Sequence, residues 1–403
     1  MKKAQEVPGA RNTRRSFLKN GAVAAGAITS LAAAPTVFAR NEEERAPITR
    51  GDIAILTFLS ALEQVEADLW IQYAELGGPN ANVAGTLGNS AIDLSFNGKA
   101  ISTGLAPGYI AALQVLDGDM PQYIADNTDD EISHHRWLNN YLQSKGARAI
   151  DLSEFAILPP SKVTGVPQNG RLTNLKQLIV DTTWWTRYRS ETQNPDLGGI
   201  FENAVPDLAK APHRAIPLDD NDQALNGDGT IPNPVQAIAS TAGFHFAAVE
   251  QGGTSLYPSL AQRVTNVEVL RVLLSIGPSE AMHFQTWQDK AGNAPNITVG
   301  DLSFPDLNSG VDPNTGLKSF KGEPAADLFQ TNLIMPEPTP FLNPKLGTVS
   351  IARPTETRLA ATGAVQAFVD SNIFIDPATG KNTGIAAKLF RLAEEADEAR
   401  RQL

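Results

Sequence analysis

Four stretches of the chain carry an apolar stripe at helical spacing, and each stripe is interrupted by a carboxylate. In the first, Ile55, Leu59, Leu62, Leu69 and Tyr73 recur along one face, as the 3.6-residue period of a half-buried helix requires. The segment opens near Thr49, carries Asp52 in its first turn and stops at Gly77-Gly78-Pro79, which are start and stop signals of a helix. Glu66 falls on that stripe, with Glu63 and Trp70 beside it. The second stretch starts near Pro121 and ends at Lys145-Gly146, and its face holds Glu131, His134, His135, Leu138 and Leu142. The third starts near Pro234, with Val235, Ile238, Ala242, Phe246, Val249 and Glu250 on one side, and Gly252-Gly253 is expected to end or bend it. The fourth covers about 266–290 and aligns Leu273, Ile276, Glu280, His283 and Trp287. Thr265 and Glu268 have the spacing of a capping box at its start. Gly277-Pro278 inside it predicts a kink or a break with a fresh start at the proline.

Between these stripes the pattern weakens. Residues 79–107 are rich in Asn, Gly and Ser and read as a loop with room for a small hairpin. Residues 147–231 are broken by repeated prolines and form an insertion. Within it Asn174–Arg189 is either helix or strand, its tryptophans expected to pack on the helices. Asp219-Asp220-Asn221-Asp222 lacks the closing Glu of a calcium loop and reads as a solvated acidic loop. Residues 293–403 begin with a Pro/Gly-rich wrap and end in two helices, about 358–373 and 386–403, the last able to dock on its own chain or on a partner.

The N-terminus is of another kind. Thr13-Arg14-Arg15-Ser16-Phe17-Leu18-Lys19, an Ala/Gly-rich apolar run over 21–34 and Val37-Phe38-Ala39 resemble a twin-arginine export signal ending near residue 39. That run is too short to cross about 30 Å of hydrocarbon, and no other stretch reads as a membrane span. Periplasmic or secreted localisation is the expectation. The chain has no cysteine, which excludes disulfides, Fe–S clusters and thiolate zinc sites. Its net charge of −11 argues against nucleic acid as a partner. No Gly-x-Ser-x-Gly elbow is present, so serine hydrolysis is set aside.

The chemistry concentrates in Glu131–His134 and Glu280–His283. Each is a Glu-x-x-His pair, and residues three apart on a helix share a face. Two such pairs and a lone Glu from each of two further helices make a di-metal carboxylate site in a four-helix bundle. The set is Glu66, Glu131, His134, Glu250, Glu280 and His283, with Glu63 as the alternative to Glu66. Oxygen and imidazole ligands suit iron or manganese, and four carboxylates balance two divalent cations. His135 and His245 read as supporting or core histidines, and His213 as exposed.

The order Glu, Glu-x-x-His, Glu, Glu-x-x-His resembles the ferritin-like superfamily, which includes bacterioferritin, rubrerythrin and manganese catalase. With the leader and the run Leu62-Glu63-Gln64-Val65-Glu66, the chain looks like the exported bacterial ferritin-like domain proteins related to plant desiccation-associated proteins. The resemblance implies an all-α ferritin-like bundle over 48–292, with helices about 50–76, 121–145, 234–252 and 266–290. It implies two iron or manganese ions, Glu131 and Glu280 bridging them and Glu66 and Glu250 each capping one. Tyr73, seven residues after Glu66, matches the family's tyrosine two turns past the first ligand, as a hydrogen-bond donor or radical sink. The expected function is redox chemistry with dioxygen or peroxide in envelope stress protection. The alternatives are iron or manganese binding without turnover, and a structural, desiccation-type stress protein. Homo-oligomerisation is left open.

Overall fold

A computed structural model of the chain describes residues 47–79, 95–96, 99–187, 200–307, 343, 345 and 360–402. Residues 1–46, where an export leader is expected, lie outside them. The described residues are mainly helical: α1 Arg50–Gly77, α2 Pro107–Leu116, α3 Met120–Ser144, α4 Thr183–Arg187, α5 Pro206–Lys210, α6 Asn233–Ala261, α7 Val267–Ala291, α8 Ala360–Asp370 and α9 Gly384–Glu398. Among the described residues, strands occur as antiparallel hairpins, β1 Ser95–Phe96 with β2 Lys99–Ala100, β3 Ile297–Val299 with β4 Leu302–Phe304, and β5 Ile375–Asp376 with β6 Lys381–Asn382. The long helices pack as two pairs, α1 with α3 and α6 with α7. This is the all-α bundle with a crossover insertion and added C-terminal helices that the stripes predict. No described helix is long and apolar enough to cross a membrane.

Local chemistry sets the helix ends. Thr49 and Asp52 form a reciprocal capping box on α1, with Asp52 N donating to Thr49 Oγ1 at 3.1 Å and Thr49 N to Asp52 Oδ2 at 2.9 Å. The same Asp52 accepts from Thr265 N at 2.9 Å, tying the start of α1 to the start of α7. Thr265 does not cap α7; its Oγ1 accepts from Gln402 N at 3.0 Å instead. Asn266 caps it, accepting from Glu268 N and Val269 N. The carbonyls left open at the end of α1 are met by Gly104, Leu105 and Ala106 amides.

Neither α6 nor α7 ends at the expected point. α6 runs through Gly252-Gly253 to Ala261, and α7 runs through Pro278. A helical Gly costs about 1 kcal/mol, and burial of Leu256, Tyr257 and Leu260 in the extra turns outweighs it. Gly253 and Gly277 also let the two helices approach. A Cβ on Gly277 would stand 2.7 Å from Tyr257 Cβ.

Helix α1 is buried on every side rather than along one stripe. Its polar residues anchor the insertion. Asp68 accepts from the amides of Leu172 and Thr173 at 3.1 and 2.9 Å, and Arg171 Nη2 donates to both carboxylate oxygens of Glu75 at 2.8 and 2.6 Å. Gln64 bonds Ile150 O and Leu152 N. Trp184, in short helix α4, packs on Phe244 and Phe284, so the insertion's aromatic cluster is bundle packing. At the C-terminus α9 lies on α1, and α8 lies on α9 and α6. Asp397 joins them, accepting from Ala361 N, Thr362 N and Arg263 Nη1 at 3.1, 2.9 and 2.6 Å.

Candidate metal centre

The two Glu-x-x-His pairs lie on α3 and α7, one helix of each packed pair, and both aim inward. His134 Nδ1 stands 3.2 Å from Glu131, 3.3 Å from Glu63 and 3.4 Å from Glu280. His283 Nδ1 stands 3.2 Å from Glu131 and 3.2 Å from Glu250. Glu131 therefore turns Oε2 to one imidazole and Oε1 to the other. Ligand atoms of Glu63, Glu131, His134 and Glu280 lie within 4.8 Å of one another, as do those of Glu131, Glu250, Glu280 and His283. The two groups share Glu131 and Glu280.

The outward nitrogens of both rings are held. Ser279 Oγ spends its proton on Ile276 O at 2.6 Å and so accepts from His134 Nε2–H at 3.3 Å. His283 Nε2 faces Asp130 Oδ2 at 2.9 Å. These contacts protonate Nε2 and leave Nδ1 to face the cluster, a common way of orienting a metal-ligating His. The lone acids are braced crosswise. Trp70 Nε1, seven residues after Glu63, donates to Glu250 Oε1 at 2.9 Å. Tyr257, seven residues after Glu250, donates its hydroxyl to Glu63. Asn127 Nδ2 donates to Glu131 at 2.9 Å and to Glu250 at 3.1 Å, its amide oriented by Trp287 Nε1 on Oδ1 at 2.7 Å.

The electrostatics are those of too many anions in a dry space. Burial, and then repulsion from Glu131, Glu63, Glu250 and Glu66, pushes Glu280 well above the carboxylate range. Burial raises Glu131 to about 7, against the pull of His134. Burial would also raise Glu63, but the charge of His134 beside it and the hydrogen bond from Tyr257 hold it low. Burial disfavours the charged imidazoles. Glu63 and Glu131 outweigh it at His134, and Glu250, Asp130 and Glu131 at His283, so both are raised well above their ordinary value. Without a cation the cluster keeps protons to limit its own repulsion.

The donors fit a pair of cations. Glu280 is fully buried, yet neither of its carboxylate oxygens has a hydrogen-bond partner, and neither has Glu63 Oε2. Such atoms are costly to bury unless something binds them. Gly253 keeps the room they need, since a Cβ there would come within 2.5 Å of Glu280 Oε2. Four carboxylates and two imidazoles are a hard-donor set suited to iron or manganese.

Five of the six preferred sequence candidates, Glu131, His134, Glu250, Glu280 and His283, come together in the two groups, and the first-helix member is Glu63. Glu66 lies outside both groups, buried one turn on. Burial and repulsion from Glu63, Glu131 and Glu250 raise it well above the carboxylate range. The Tyr73 hydroxyl turns to His245 Nδ1 at 2.8 Å, and His245 is a buried core residue. His213 is half-buried, its Nε2 on Asp207 O. Sequence reading missed Tyr257, Trp70, Asn127 and Asp130 as bracing groups. The seven-residue spacing from Glu250 to Tyr257 and from Glu63 to Trp70 was a usable signal. Asp130 carries none, since it reaches His283 only across the helix interface.

No curated protein and no solved structure gives a significant match to the chain. The family model of the ferritin-like domain matches residues 51–293, which hold all four long helices and every residue of the cluster. With more than half of its length matched on that bundle, the chain belongs to the ferritin-like domain family.

Proposed function

We propose that the cluster holds two iron or manganese ions and that the protein is a di-metal oxidoreductase acting on dioxygen or peroxide. One observation carries the reading. Glu131 presents one oxygen to each of two imidazoles, beside a fully buried Glu280 whose oxygens have no hydrogen-bond partner. Glu131 and Glu280 would be shared by the ions, Glu63 and His134 would complete one position, and Glu250 and His283 the other. Such a pair supplies one-electron and two-electron redox chemistry when bound. The chain's own residues supply the rest. Trp70 and Asn127 orient Glu250, Tyr257 orients Glu63, and Asp130 and Ser279 hold the imidazoles. The stacked rings of Trp70 and Trp287 keep water from one side. Tyr257, rather than Tyr73, is the phenol placed to pass a proton to or from a ligand.

We further propose that the protein is exported through the twin-arginine route and acts in envelope stress protection, in the manner of the desiccation-related ferritin-like proteins. The paired arginines, the short apolar run and the absence of cysteine support this. The test is elemental analysis of full-length protein purified from its native host, followed by assay of peroxide and dioxygen consumption. About two metals per chain, absent from a folded Glu280→Ala variant, and turnover above that of free metal are the expected results. Metal without turnover would favour the metal-handling reading. Metal-free native protein would refute both.

A further inference from the structure

The cluster looks symmetrical by ligand type, but its surroundings are not. Behind His283 stands a carboxylate, Asp130, at 2.9 Å; behind His134 stands only the Ser279 hydroxyl, at 3.3 Å. A carboxylate on the outward N–H makes the imidazole a stronger donor and fixes its ring, and it adds a negative charge close to the ion. A hydroxyl whose proton is already committed does much less. The lone acids differ in the same sense. Glu250 Oε1 is pinned by two N–H donors, Trp70 and Asn127, which leaves Oε2 aimed at His283. Glu63 is held by one hydroxyl, Tyr257, in place of two N–H donors, and its Oε2 stands 3.3 Å from His134. Pre-ordered ligands lose less entropy on binding.

We propose that the two metal positions are unequal, the one framed by Glu250 and His283 filling first and holding its ion more tightly than the one framed by Glu63 and His134. This rests on the di-metal reading above. Asp130 is then a positioning residue that sets the order of loading, although it touches no ion. It is half-exposed, with 49% of its side-chain surface open, so its charge is partly screened and its replacement leaves the packing alone.

The test is a titration of the chelator-stripped full chain with Mn2+, following free Mn2+ by its paramagnetic resonance signal. Two steps are expected, separated by roughly tenfold or more in Kd. His283→Ala should remove the tighter step and Glu63→Gln the weaker one. Asp130→Asn keeps a hydrogen-bond acceptor for Nε2–H but removes the charge. It should weaken the tighter step by about tenfold and leave the weaker step and the circular dichroism spectrum unaltered. Equal affinities in the unaltered protein, an unchanged tighter step in Asp130→Asn, or the opposite pattern in the two ligand variants would overturn the inequality and leave the di-metal reading standing. No uptake of either Mn2+ or Fe2+ would remove the di-metal reading itself.

Discussion

Replacing Gly253 by alanine separates the stability of the bundle from the geometry of the centre. Gly253 sits one turn after Glu250 in α6 and faces Glu280. An added Cβ would come within 2.5 Å of Glu280 Oε2 and 3.1 Å of Cδ and Cγ, whereas ordinary contact begins at 3.4 Å. The carboxylate must therefore retreat by about 0.9 Å, and it is too deeply buried to swing into water. Metal–ligand distances tolerate only about 0.2 Å, so the shift exceeds the tolerance several-fold. Since Glu280 belongs to both groups, both ions should be affected, each by about 10- to 100-fold in affinity, or about 1.4–2.7 kcal/mol. The metal-free protein should respond in the other direction. Alanine in place of a helical glycine gains about 1 kcal/mol, offset in part by the displaced side chain. The assay is thermal unfolding of Gly253→Ala and the unaltered protein, each with chelator and with excess Mn2+. The expected result is a near-normal melting temperature in chelator and a much smaller rise on adding metal. A variant that takes up two ions with full affinity would refute the reasoning, because Glu280 would then not need the space that Gly253 leaves.

Further outcomes test other parts of the argument. Removing metal with a chelator should lower the melting temperature, since a ligand at 1,000 times its Kd stabilises by about 4 kcal/mol; calorimetry with and without Mn2+ checks this. The stripped protein should also lose stability as pH rises. Glu131 is raised from its ordinary 4.5 to about 7, so its protonated form favours the fold below pH 4.5 and that contribution is lost as pH climbs through 7, on the order of 3 kcal/mol. Glu280, Glu66 and the two imidazoles, all raised, act with the same sign, and urea melts of the apoprotein between pH 5 and 8 would reveal a flat or opposite trend if this is mistaken. Trp70→Phe removes the indole donor from Glu250 and should weaken the tighter Mn2+ step by about 1.5–3 kcal/mol, whereas Tyr257→Phe should weaken only the other; identical effects on both steps would contradict the crosswise bracing. Asp397→Ala removes the carboxylate shared by Arg263 Nη1 and the amides of Ala361 and Thr362 and should cost about 1–3 kcal/mol, with faster hydrogen exchange in α8 and α9 and no loss of metal. Because hydrogen bonds from Thr362, Ala361 and Arg263 outweigh burial and depress the Asp397 carboxyl, the same loosening should set in as pH falls through its folded value.

Several features were legible in the chain alone because they depend on short-range periodicity. A Glu and a His three residues apart must share a helix face, so Glu131–His134 and Glu280–His283 needed no tertiary information beyond the helices themselves. Glu250 was visible as an acid on an apolar stripe. The bundle and the length of its crossover insertion followed from the spacing of the four stripes. Other features depend on which helix faces meet. Glu63 and Glu66 lie one turn apart and are both buried, so the rotation of α1 against α3 and α6 decides that Glu63 joins the cluster while Glu66 stands beside it. The same rotation sends Tyr73 to His245 and brings Trp70 to Glu250. Gly252-Gly253 of α6 reads as a stop or a bend, yet the close approach of α7 makes Gly253 the space in which Glu280 sits. Asp130 is adjacent in sequence to a candidate ligand and on another face of its helix, and only the packing of α3 on α7 sets it behind His283. Helical period thus determined which residues point together from one helix. Contacts between helices, which no local pattern encodes, decided which of those faces share a metal site and what braces it.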